Sequence, residues 1–113
     1  MNKRTIINSI YAALNTNKVT SRIYRDSDWT GVTYAESIID KAIKDCGNYC
    51  FAFGTTHYEG RLGETDHCKI YEFAIIDVES DEEIISGNMI CAFCGTIGDP
   101  MGAYDITITM SVA

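Results

Sequence analysis

The chain has 113 residues, of which 46% are apolar or aromatic, and nine Lys and Arg stand against sixteen Asp and Glu for a net charge of −7. That length is one domain's worth of chain and that composition is globular rather than disordered, so a multidomain enzyme, a membrane protein and a coiled coil are not expected. Apolar stretches such as Ala74-Ile75-Ile76 fall far short of a membrane span, no cleavable leader is expected at the amino end, and the acidic balance excludes non-specific nucleic-acid binding, which needs Lys and Arg against phosphates.

The first element is a helix over 3–15, because Ile6, Ile7, Ile10, Tyr11, Ala13 and Leu14 recur at helical spacing until Asn15, Thr16 and Asn17 stop the run. Val19 to Tyr24 is β-branched and weakly alternating, and is expected to be a short first strand. Asp26-Ser27-Asp28-Trp29-Thr30-Gly31 reads as a loop. Thr33 with Glu36 matches a capping box, so a second helix is expected to start there, burying Tyr34, Ile38, Ile39, Ala42, Ile43 and Cys46 and ending at Gly47 in a left-handed cap.

From Gly47 onward the pattern is that of strands. Tyr49, Phe51 and Phe53 alternate with Cys50, Ala52 and Gly54, and a loop is expected over 55–68. Lys69 to Glu79 is apolar on both faces at its middle, which predicts an interior strand. Ile84 to Cys94 follows, with a bulge or bend expected at Ser86-Gly87-Asn88, and Gly95 to Gly102 reads as a long turn. Tyr104, Ile106, Ile108, Met110 and Val112 alternate with Asp105, Thr107, Thr109 and Ser111 in the cleanest strand of the chain. Sixteen isoleucines against two leucines suit a sheet-heavy core. The predicted fold is a single α+β domain over 1–113, with two helices on one face of a four- to five-stranded antiparallel sheet in the order α-(β)-α-β-β-β-β.

Charge is unevenly spread: residues 1–45 hold seven bases and five acids, whereas residues 46–113 hold two bases and eleven acids, or −9. Its densest point is Glu79-Ser80-Asp81-Glu82-Glu83, expected at a hairpin tip, where the carboxylates imitate a run of phosphates or simply discourage edge pairing. Glu79, Asp81, Glu82 and Glu83 are therefore the first candidates for partner binding. Trp29, flanked by Asp26 and Asp28, is the second, since exposed aromatics anchor interfaces.

An odd count of five cysteines, with no leader expected, predicts free thiols in a reducing, cytoplasmic setting. Cys91-Ala92-Phe93-Cys94-Gly95 has the spacing of a zinc knuckle, which makes a zinc-stapled module one alternative, but residues three apart on a strand face opposite ways, so buried free thiols are the expected state and neither metal nor cofactor is assigned. His57 and His67, with Glu59, Glu64 and Asp66, make a His/carboxylate site in the 55–68 loop the enzymatic alternative. No nucleophile elbow, metalloprotease helix or phosphate-binding loop is present.

The reading that results is a small acidic, non-enzymatic protein that binds a basic protein or nucleoprotein surface and inhibits or modulates it. Small phage and mobile-element inhibitors of anti-restriction and anti-CRISPR type share this size and charge, a likeness of composition alone. No direct nucleic-acid or membrane contact is expected. The carboxyl-terminal strand is a candidate edge for homodimer pairing.

Overall fold

The computed structural model describes residues 2–25, 27–59, 68–93 and 103–113. Asp26, Cys94, residues 60–67 of the expected loop (His67 among them) and all of the expected 95–102 turn lie outside the described residues. Residues 55–59 and Cys68, expected in that loop, are strand because the β2–β3 pairing runs on to Glu59 and Cys68.

Helix α1 spans Lys3–Thr16 and is capped by Asn2, whose side chain accepts the Thr5 N–H at 2.8 Å. Its apolar stripe, Ile6, Ile7, Ile10 and Leu14, is fully buried. The β-branched residues that follow do not form the expected strand. Lys18 takes a left-handed φ of 55°, its N–H donates to Asn15 O, and the Val19 N–H reaches back to Leu14 O at 3.0 Å. That is a Schellman exit, with buried Val19 as its apolar plug, so the patterned residues close a helix. Only Tyr24–Arg25 pair as a strand, β1.

Helix α2 spans Asp28–Cys46, six residues longer at its start than the Thr33 capping box implies. Ser27 is the cap, accepting the Trp29 N–H at 3.1 Å, and Asp28 places a carboxylate in the first turn, where the helix dipole favours it. Thr33 instead bonds back to the Trp29 and Thr30 carbonyls. Gly31, read as a loop residue, sits inside the helix because nothing larger fits: a β-carbon there would come within 2.3 Å of Ile106 Cδ1 and 2.8 Å of the Tyr24 ring. Gly47 ends the helix at φ 154°, ψ −156°, which is not the left-handed cap but another region open essentially to glycine alone.

The remaining described strands are β2 (Tyr49–Glu59), β3 (Cys68–Asp77), β4 (Glu82–Phe93) and β5 (Ala103–Val112). With β1 they make one five-stranded antiparallel sheet in the order β1-β5-β4-β3-β2, so β3 is interior, as its two apolar faces require. Both helices pack on one face. There Tyr71, Phe73, Ile75, Ile85, Met89, Cys91, Ile106 and Ile108 are buried against α1 and α2. The other face carries no helix among the described residues and is the open face here, bearing Ala52, Glu72, Ala74, Ser86, Asn88 and Ser111, with Ser86 Oγ 3.3 Å from Ser111 Oγ.

Two bulges set which residues face which way. One lies between Phe53 and Thr56 on β2, the other at Ile84 on β4, where two successive residues are buried. The bulge expected at Ser86-Gly87-Asn88 is absent, because Gly87 stays in register opposite Phe73 and leaves room for that ring to lie across it. A β-carbon on Gly87 would stand 2.3 Å from Phe73 Cζ. Phe73 stacks on Phe51 at 5.1 Å, and Phe51 meets Phe53 edge-on at 4.8 Å, a ladder of rings that closes the β2 side of the core.

Candidate functional site

The acidic run is the β3–β4 hairpin tip, as its spacing suggests, and its backbone is held from several sides. Asp77 Oδ1 accepts the N–H groups of Glu79 (3.0 Å) and Ser80 (3.4 Å), and Asp77 O accepts the Asp81 N–H at 2.8 Å. Asp81 takes a left-handed φ of 58°, which Asp tolerates better than most residues. The Val78 N–H donates to Asn48 O and ties the tip to the α2–β2 connection. Asp77 thus joins Glu79, Asp81, Glu82 and Glu83, giving five carboxylates within seven residues on an ordered turn. Among the described residues none of the five makes an ion pair; those recorded are Lys44 with Asp40 and His57 with Glu72.

Asp28 and Trp29 occupy the first turn of α2, while Val78 is fastened beside its carboxyl end. A helix of 19 residues separates the two candidates by roughly 27 Å, so they form two surfaces rather than one. Trp29 is 47% exposed and bridges Phe53 and Tyr71, each at 5.7 Å between ring centres. Asp28 is engaged: it accepts the Tyr71 hydroxyl at 2.9 Å and so pins the start of α2 to β3. Burial raises the Tyr71 pKa above its ordinary value, and the Asp28 carboxylate adds to this against the opposing effect of Lys69, whose ammonium lies 5.1 Å from the ring centre.

His57 and Glu72 were legible only as loop and strand residues. The structure brings His57 Nε2 within 2.6 Å of Glu72 Oε1 on the open face, both side chains nearly half exposed. Glu72 itself lines a groove of about 490 Å³, together with Ala52, Gly54, Ala74, Ser86 and Asn88 among others. The signal that would have found this pair is the register between β2 and β3, which depends on a bulge.

Of the described cysteines, Cys68 and Cys91 lie on the paired strands β3 and β4, at adjoining positions of the ladder. Among the described residues no group of three His, Cys, Asp or Glu side chains is placed to hold a metal ion. Cys91 is 1% exposed in the core, and burial pushes its thiol up to about 12. A thiol so raised is a poor source of thiolate for metal or nucleophilic chemistry at neutral pH. It also has a consequence for stability. From the ordinary value of 9.0 to about 12 the unfolded chain ionises this thiol and the folded chain does not, so its contribution is complete below pH 9 and is lost as pH rises toward 12. The expected result is a fall in unfolding free energy across that window of at most about 1.4 kcal/mol per pH unit from this group, partly flattened in Cys91→Ala. Denaturant titrations at pH 8, 9, 10 and 11 measure it; equal slopes in both proteins would contradict the assignment.

No helix of the described residues is long and apolar enough to cross a membrane. Comparison with family models, with curated proteins and with solved structures returns no match.

Proposed function

We propose that this chain is a non-enzymatic binding protein whose β3–β4 turn docks on the basic surface of a protein or nucleoprotein and inhibits or modulates it, in the manner of phage and mobile-element inhibitors of anti-CRISPR or anti-restriction type. One observation carries the reading: Glu79, Asp81, Glu82 and Glu83 are exposed on and beside a turn that Asp77 holds by hydrogen bonds, and among the described residues none of them makes an ion pair. A turn whose backbone is already held loses little main-chain freedom on binding, and a concentrated negative field steers a basic partner toward it. Trp29, at the far end of α2, is a separate contact candidate with Asp28 as its anchor. The reading involves no direct nucleic-acid contact, because the same field repels phosphates.

The test is capture from a lysate of the organism that makes the protein, with wild type and the triple variant Asp81→Lys, Glu82→Lys, Glu83→Lys run side by side. The reading expects a basic partner retained by the wild type and released by salt, and its loss from the variant. Equal retention by both removes the turn as the contact.

His57 with Glu72 beside the open-face groove favours a second reading, a small proton-transfer site. It ranks below the first because both groups are solvated and no third polar group is buried against them to fix a substrate.

A further inference from the structure

β2 is an edge strand whose outer side no described strand covers. Natural edges of this length carry Lys, Pro or inward charges that prevent pairing with another chain. The stretch Tyr49–Phe53, before the bulge, carries none: it is Tyr-Cys-Phe-Ala-Phe. The ladder shows which main-chain groups this edge presents. The Val78 N–H donates to Asn48 O, so Asn48 and Val78 form a hydrogen-bonded pair, and the alternation of antiparallel pairing turns the N–H and C=O of Phe51 and Phe53 outward, with the C=O of Tyr49. The Tyr49 N–H is already taken by Gly47 O at 3.1 Å. Among the described residues nothing bonds to the outward groups of Phe51 or Phe53.

We propose that this edge pairs with a second copy of the chain, antiparallel about a two-fold axis at Phe51. That register is self-complementary. Phe51 exchanges both main-chain hydrogen bonds with Phe51 of the second copy, and each Phe53 N–H reaches the other copy's Tyr49 O, about four bonds in all. On the core side the two Phe51 rings meet and join the Phe51–Phe53–Phe73 ladders of both copies into one, bringing the half-exposed Phe53 toward cover. Charge selects the surface. With −7 on each copy, most contacts between copies would oppose carboxylates, whereas Tyr49–Phe53 brings none to the seam. The competing edge, β5, is partly occupied: Tyr24 and Arg25 pair with its start, and the Met110 N–H donates to the Tyr11 hydroxyl at 3.0 Å.

The register places Ala52 opposite Cys50 of the second copy in a non-hydrogen-bonded pair, whose Cα spacing of roughly 4.5 Å suits a disulfide. The experiment has two parts. Light scattering of the reduced wild type over a concentration series should reach twice 12.5 kDa, and Ala52→Lys, with its fold checked by circular dichroism, should return it to the mass of one chain. Under diamide, Ala52→Cys should run as a covalent dimer on a non-reducing gel, and adding Cys50→Ser should abolish that dimer. A wild type that stays at the mass of one chain overturns the proposal. So does a dimer that gives no Cys50-dependent cross-link, or one that survives Ala52→Lys and is lost in Thr109→Lys, which would put the seam on β5.

Discussion

Gly87→Val is expected to lower the unfolding free energy by about 2–3 kcal/mol, or roughly 10 °C in Tm for a chain of this size. The ring of Phe73 occupies the space a side chain at 87 would need, with Cζ, Cε1 and Cε2 all within 2.8 Å of a β-carbon there. The ring cannot swing aside cheaply, since it is itself 3% exposed and stacked on Phe51. By β propensity alone the substitution should help, because Gly weakens a strand interior and Val suits one. The propensity scale spans about 1 kcal/mol, so the steric cost decides the sign. Ser86→Val, one residue away on the open face, is the control and should change stability by less than about 0.5 kcal/mol. Chemical denaturation of the three proteins measures this; a Gly87→Val midpoint equal to that of Ser86→Val would contradict the packing.

The second large effect is also a contest of signs. Gly inside a helix costs about 1 kcal/mol relative to Ala, so by propensity Gly31→Ala should stabilise α2. Against that, the new β-carbon meets Ile106 Cδ1 at 2.3 Å and the near atoms of the Tyr24 ring at 2.8 and 2.9 Å. Ile106 is 1% exposed, and Tyr24 is fastened by its hydroxyl, which donates to Val19 O at 2.7 Å. The helix must therefore lift from β5 and β1, a strain of about 1–3 kcal/mol that outweighs the propensity gain. Gly31→Ala should come out destabilised by about 1 kcal/mol and Gly31→Val by about 3 kcal/mol. Thermal unfolding in which Gly31→Ala gains stability would show that α2 sits further from the sheet than these distances state.

These two glycines also explain where the sequence was and was not readable. Tyr104 to Val112 was plain because β5 is half-buried, and period-two alternation is what a half-buried strand must carry. The stripe Ile39, Ala42, Ile43 was plain for the corresponding reason on a helix. Gly31 and Gly87 misled because a glycine reads as a local break, whereas here each is required by a side chain far along the chain, Ile106 and Phe73. Val19 misled because a helix exit and a strand start both favour a β-branched apolar residue.

The candidate sites divide in the same way. The acidic turn was legible because its carboxylates lie within one seven-residue stretch and most of the bonds that hold it are local. The His57–Glu72 pair was not, since the groups lie 15 residues apart and meet only after the bulge between Phe53 and Thr56 shifts the register by one. That shift exchanges the faces of the residues beyond it and turns His57 to the open side. Trp29 was recognised as an exposed aromatic, but its contacts with Phe53 and Tyr71 follow from α2 beginning at Asp28 rather than Thr33. The Asp28–Tyr71 bond has the same origin, and it makes Asp28 a fixed part of the scaffold.

The most direct measurement of the central claim is the affinity of the purified protein for its captured partner, taken over a salt series with the wild type and the Asp81→Lys, Glu82→Lys, Glu83→Lys variant in parallel. If the turn is the contact, the wild-type affinity falls steadily with salt, and the variant binds about tenfold or more weakly at low salt with most of that dependence gone. Two curves that coincide at every salt concentration would place the binding surface elsewhere on the molecule.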